Sequence, residues 1–152
     1  MDMREDDQMK ITAVFPGLPD TAEANLADYA KYFLAYRRTD WEADGCDAQF
    51  TCRFEGGEVV LFVVDYFGKG ISLRYDCNVP NAKAGSCWYS VGQAEAMQDI
   101  VDADTDLYLP LGSCLPPTLA FAVLDDFFTN PLEKSHKVAW VNAEDLDWSS
   151  ID

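Results

Sequence analysis

The sequence predicts an α+β fold: an antiparallel sheet with two main helices packed on one face. Three observations carry that expectation. Residues 49–76 hold three consecutive strand patterns separated by tight-turn signals. Apolar residues recur at helical spacing in two stretches, from Leu26 to Tyr36 and from Ala120 to Phe128. The overall order is strand, helix, a run of strands, helix, strand, and not a strict alternation of strand with helix.

Taken in order, residues 1–9 read as a flexible acidic N-terminal tail. Residues 10–15 form a short strand stopped by Pro16, Gly17 and Pro19. Asp20 reads as an N-cap, with Glu23 three residues on completing a capping box, so the first helix is expected over 21–37. Phe50, Cys52 and Phe54 alternate with polar residues, as a half-buried strand does. Glu55-Gly56-Gly57-Glu58 supplies a hairpin turn. Residues 59–67 are almost entirely apolar, so both faces of that strand need cover and it belongs in the middle of the sheet. After Gly68-Lys69-Gly70, Ile71, Leu73 and Tyr75 alternate along a third antiparallel strand.

Residues 78–86 are a loop, and 87–91 a fourth strand. Met97, Ile100 and Val101 suggest a short helix over 93–101. Asp102, Asp104 and Asp106 follow on an acidic loop. Residues 107–111 are a short edge strand, because Pro110 cannot donate to a ladder. Pro116-Pro117 opens the second helix, whose apolar face is Ala120, Val123, Leu124, Phe127 and Phe128. Asn130-Pro131 ends it, and 138–141 is the last strand. Residues 10–142 thus form a single domain, followed by an acidic C-terminal tail over 143–152. A helix-covered sheet face leaves the opposite face, and the loops at its ends, for a partner.

The chain has 152 residues, one domain's worth. Eleven Lys and Arg against 27 Asp and Glu give a net charge of −16. That sign excludes a nucleic-acid binder that works by neutralising phosphates, and it disfavours an anionic membrane surface. It suits a basic protein partner or a cation. No run reaches the roughly 18 apolar residues of a membrane span. The acidic N-terminus is not a secretory signal, so a cytoplasmic setting with reduced thiols is expected. The five cysteines contain no CxxC pair, and His136 is the single histidine, so no zinc site is expected. A Cys77–Cys87 pair could close a loop only in an oxidising compartment.

Residues that could carry chemistry are few. Gly68-Lys69-Gly70 is a hairpin turn, not a phosphate cradle. His136 lies in a polar linker, where a surface role is expected in preference to service as a base for a cysteine, Ser113 or Ser135. Asp65 is the acid in an apolar setting; a strand-end carboxylate paired with an arginine is the expected role. Asp102, Asp104 and Asp106 mimic the start of a calcium loop, but its sixth position is Leu107 and its twelfth Ser113, where glycine and glutamate are needed. No catalytic residue, cofactor or metal is therefore expected, and the chain reads as a binder and not an enzyme. Trp148, in a polar near-terminal setting, is the tryptophan expected to be exposed.

The last third of the chain resembles the first-numbered Imm family of immunity proteins from bacterial polymorphic toxin systems. The resemblance lies in 107–141: Leu107-Tyr108-Leu109 before the helix, then Leu115-Pro116-Pro117, the run from Ala120 through Phe127-Phe128 to Asn130-Pro131, and Val138-Ala139-Trp140. More broadly, the order of elements over 10–142 is similar. The link Leu132 to Lys137 is longer than the family's usual one, and Asn142 stands where the family often has an acid.

The resemblance implies binding and neutralising a co-encoded toxin, frequently a nucleic-acid deaminase, without catalysis. Such toxins need basic surfaces, which a −16 chain complements. The contact residues expected are Asp104, Asp106, Asp145 and Trp148; Phe127 and Trp140 are expected to join helix to sheet. The competing readings are a small-ligand-binding α+β domain, marked by a deep apolar cavity, and a carboxylate-dependent hydrolase, marked by two converging acids.

Overall fold

The computed structural model describes residues 10–42, 47–79, 86–103 and 107–151. In chain order they form strand β1 (Ile11–Val14), helix α1 (Ala30–Leu34), strands β2 (Asp47–Phe54), β3 (Gly57–Asp65), β4 (Ile71–Asn78), β5 (Cys87–Val91), β6 (Ile100–Asp102), β7 (Tyr108–Pro110) and β8 (Cys114–Leu115), helix α2 (Pro117–Thr129) and strand β9 (Ala139–Asn142). The main sheet is antiparallel in the order β1-β2-β3-β4-β5-β9, with β8 also paired to β4; β6 and β7 make a separate hairpin. The expected α+β class holds, as do the three hairpin-linked strands at its heart.

The pleat explains the apolar run of β3. Val59, Leu61 and Val63 belong to the core beneath the helices, while Val60 and Val64 are buried on the opposite face. On the helix side, Phe33 of α1 meets Phe121 of α2 at 5.5 Å and Trp41 edge-on at 5.3 Å. Phe50 of β2 meets Phe128 at 5.8 Å. Both helices thus pack on one face. Pro117 opens α2, and its last turn closes with the Asn130 amide on the Asp126 carbonyl before Pro131.

Two expected helices are different in the structure. The stretch 21–37 holds only a 3-10 turn (Leu26–Asp28) and the five residues of α1, with a further 3-10 turn at Arg38–Trp41. Thr21 exchanges both backbone hydrogen bonds with Ala13, and the Ala24 amide donates to the Ile11 carbonyl at 2.7 Å. Those backbone groups are spent covering the open edge of β1, so they cannot start a helix at Asp20. Asn25 caps instead, its side chain accepting the Ala27 amide at 3.1 Å. Likewise 93–101 is a 3-10 turn (Ala94–Ala96) leading into β6. Met97 is buried as the pattern requires, but Ile100 and Val101 are taken into pairing with β7.

The opposite sheet face is partly covered. Val64, Tyr89, Met97, Ala103, Leu109 and Leu146 bury a second, smaller core there, beneath the β6–β7 hairpin and the 3-10 turn Ala143–Asp145. Residues 143–148, set apart from the domain as a tail on sequence, therefore dock onto it, because Leu146 and Trp148 find apolar cover. Among the described residues no helix is long and apolar enough to cross a membrane.

Candidate functional site

The docked C-terminal turn brings two acidic segments to one end of the molecule. The Asn142 side chain caps the turn by accepting the Glu144 amide at 2.8 Å. The Gln98 side chain then joins it to the segment before β6: its amide donates to the Asp145 carbonyl at 3.2 Å, and its oxygen accepts the Asp147 amide at 2.6 Å. Glu95, Asp99, Asp102, Glu144, Asp145 and Asp147 are all exposed around this stitch. The sequence has no Lys or Arg between Lys83 and Lys134, and none after Lys137. Among the described residues no cation pairs with Glu95, Asp99, Glu144, Asp145 or Asp147. The carboxyl of Asp147 is held below its ordinary range by the Ser149 hydroxyl and amide.

Of the four expected contact residues, Asp145 is exposed on this end. Asp104 and Asp106 lie outside the described residues. Trp148 is not the exposed tryptophan it was expected to be. It is half-buried, 5.9 Å from the Tyr89 ring, with its indole N–H donated to the Ala143 carbonyl at 2.8 Å. An indole near a chain end packs when its N–H finds a partner. Gln98, which assembles the acidic end, carries no signal in the sequence.

Beside the second core runs a groove of about 110 Å³, lined by Phe62, Val64, Ser72, Arg74, Tyr89 and Leu109 among others. Arg74 forms its wall: it stacks on Phe62 at 4.2 Å and makes a two-pronged pair with Asp76 at 3.0 Å. Its fork is thereby committed to structure. The groove is smaller than the ~300–1,000 Å³ of typical small-ligand pockets.

Asp65 is fully buried at the end of β3 and paired with Arg38 at 2.9 Å, as expected. Tyr36 donates to the same carboxylate oxygen at 2.7 Å, and the Gly68 amide to the other at 3.2 Å. Burial first, and that hydrogen bond second, push the Tyr36 hydroxyl pKa up, so it stays a donor. The group is a closed structural ion pair. Ser113 is buried and donates to the Pro110 carbonyl at 2.6 Å, while Ser90 donates to the Ser113 carbonyl at 2.8 Å. His136 is exposed and bonded to Glu133 at 2.9 Å.

Cys52, Cys77, Cys87 and Cys114 are free thiols. Asp76 stands opposite Cys87 in the ladder, so Cys77 and Cys87 point to opposite faces of the sheet and do not bridge. Burial, with Asp76 beside it, pushes the Cys87 thiol up to about 12; burial, then Asp65, pushes Cys114 up to about 11. Neither is a reactive thiolate at neutral pH. Among the described residues no group of three or more His, Cys, Asp or Glu side chains could hold a metal ion. No family model, no curated protein and no solved structure matches the chain.

Proposed function

We propose that this chain is an immunity protein that binds and neutralises a cationic bacterial toxin domain, a nucleic-acid-targeting enzyme of the deaminase type, in the cytoplasm. The observation that carries the reading is the acidic end: six exposed carboxylates gathered around Gln98, in a chain of net charge −16. A toxin that holds nucleic acid needs a basic surface. Carboxylates on a fixed frame can compete for that surface as phosphates would. The resemblance of 107–141 to the Imm family points the same way. The small groove gives less support to a small-ligand domain, and the closed pairing of Asp65 less to a carboxylate-dependent hydrolase.

Contacts are assigned to Asp104, Asp106 and Asp145, and to the open part of the Trp148 ring. The test is binding between the purified chain and the toxin domain encoded by the adjacent gene, followed by charge reversal. A stable complex is expected, with Asp104→Lys/Asp106→Lys and Asp145→Lys slowing association and Trp148→Ala speeding dissociation. Failure of the wild-type chain to bind, or reversal variants that associate at the wild-type rate, would contradict the assignment.

A further inference from the structure

The turn between β3 and β4 carries an anomaly. Among the described residues, Phe67 is the one non-glycine with a positive φ, 48°. Gly68 follows at 78°, and the Lys69 amide donates to the Tyr66 carbonyl at 2.8 Å. Two successive left-handed residues closed by that bond make a type I′ hairpin turn. Its first central position favours Asn, Asp or Gly, and a bulky side chain there is an outlier.

Burial does not compensate, for the residue is 51% exposed. It is nevertheless fixed in place. The Arg38 guanidinium lies 5.2 Å from the ring centroid, and the Tyr66 ring meets it edge-on at 5.2 Å. Arg38 is itself held by buried Asp65 and by Glu42, and Asp65 also takes the Gly68 amide. The turn thus holds an aromatic ring outside the core, in a backbone conformation the residue disfavours. A non-glycine residue held in a disfavoured backbone conformation is a place to look for function.

The charge around the ring is balanced. Arg38 and Lys69, whose ammonium lies over the Tyr66 ring, are offset by Asp65 and Glu42, and Arg37 by Asp40 at 3.0 Å. A neutral apolar point on a chain of −16 has the character of an interface centre, where charges are depleted and aromatics enriched, with charge left to the rim. We infer that Phe67 is the aromatic anchor of a protein interface and inserts into an apolar pocket of a cationic toxin domain. The inference rests on the function proposed above. The acidic surface supplies attraction at a distance, and Phe67 supplies residence time. Preorganisation by Arg38 and Tyr66 spares the cost of ordering the ring on contact.

The test uses Phe67→Asn and Phe67→Gly in the full chain, since both residues suit a left-handed turn. Both are expected to melt at or above the wild-type temperature, by up to about 4 °C, because the backbone outlier is removed. Both are expected to dissociate at least tenfold faster from the toxin domain encoded by the adjacent gene, with association little changed. A fall in melting temperature in both variants would make the ring a lid over the Asp65–Arg38 pair and overturn the anchor. So would unchanged dissociation. A wild-type chain that does not bind the toxin domain would instead overturn the proposed function, and the anchor's partner with it.

Discussion

Asp65 is a charge that the fold must keep satisfied. It is fully buried, with three side-chain or amide donors converging on it. Arg38 is not simply a surface cation that happens to be near, for it also donates to the Asp65 carbonyl at 3.1 Å and ties the Arg38–Trp41 turn to the end of β3. Removing one partner of a buried pair leaves the other uncompensated. Asp65→Ala is therefore expected to cost about 3 kcal/mol or more in urea denaturation, and Tyr36→Phe roughly 1.5–3 kcal/mol, the worth of a hydrogen bond to a charged group. A loss below about 1 kcal/mol in Asp65→Ala would mean that solvent reaches the site and the pair is not structural. Asp65 was legible from sequence because a lone acid in an apolar strand has few other fates. Its arginine was not, since nothing in the chain order brings Arg38 to the end of β3.

At the scale of elements, the join between α2 and β9 is built around Tyr75. Its ring lies 6.3 Å from Phe127 and 6.2 Å from Trp140, and its hydroxyl donates to the Pro131 carbonyl at 2.7 Å. The intervening turn is pinned separately: Ser135 donates to Asp126 at 2.6 Å, Lys137 pairs with Asp126 at 2.9 Å, and the Trp140 indole donates to the Ser135 carbonyl at 2.9 Å. Phe127→Ala is expected to cost roughly 3–5 kcal/mol, and half-buried Trp140→Ala less. The folded fraction of each is expected to match the wild type in binding to the proposed toxin partner. Wild-type unfolding together with lost binding in Trp140→Ala would make it a contact residue instead. The strands and α2 were readable because their periods are sustained and their turns carry Gly or Pro. The helix expected over 21–37 was misread because its capping signal is local, whereas the β1 edge that claims Thr21 and Ala24 is a tertiary feature. The same holds for 93–101, where burial of Ala96 and Met97 is compatible with either period until β7 is in place. Within the candidate site, the acidic composition and Asp145 were visible in the sequence. Gln98 was not, because its significance lies in a long-range stitch; nor was the left-handed backbone of Phe67 at the β3–β4 turn.

For the whole molecule, the central feature is charge unevenly distributed. Cations are confined to residues 4–83 and to the 134–137 turn, and among the described residues none pairs with Glu95, Asp99, Glu144, Asp145 or Asp147 at the C-terminal end. Such a field acts before contact. It raises the rate of encounter with a cationic partner, and it is screened over about 8 Å at physiological ionic strength. Apolar contacts made after docking are nearly indifferent to salt, so they govern dissociation. The measurement that tests this most directly is the association rate with the proposed toxin partner, sought in the product of the adjacent gene, as ionic strength is raised. The account predicts a rate that falls roughly tenfold or more between ~0.01 M and ~1 M salt, with dissociation much less affected. An association rate independent of salt would contradict it.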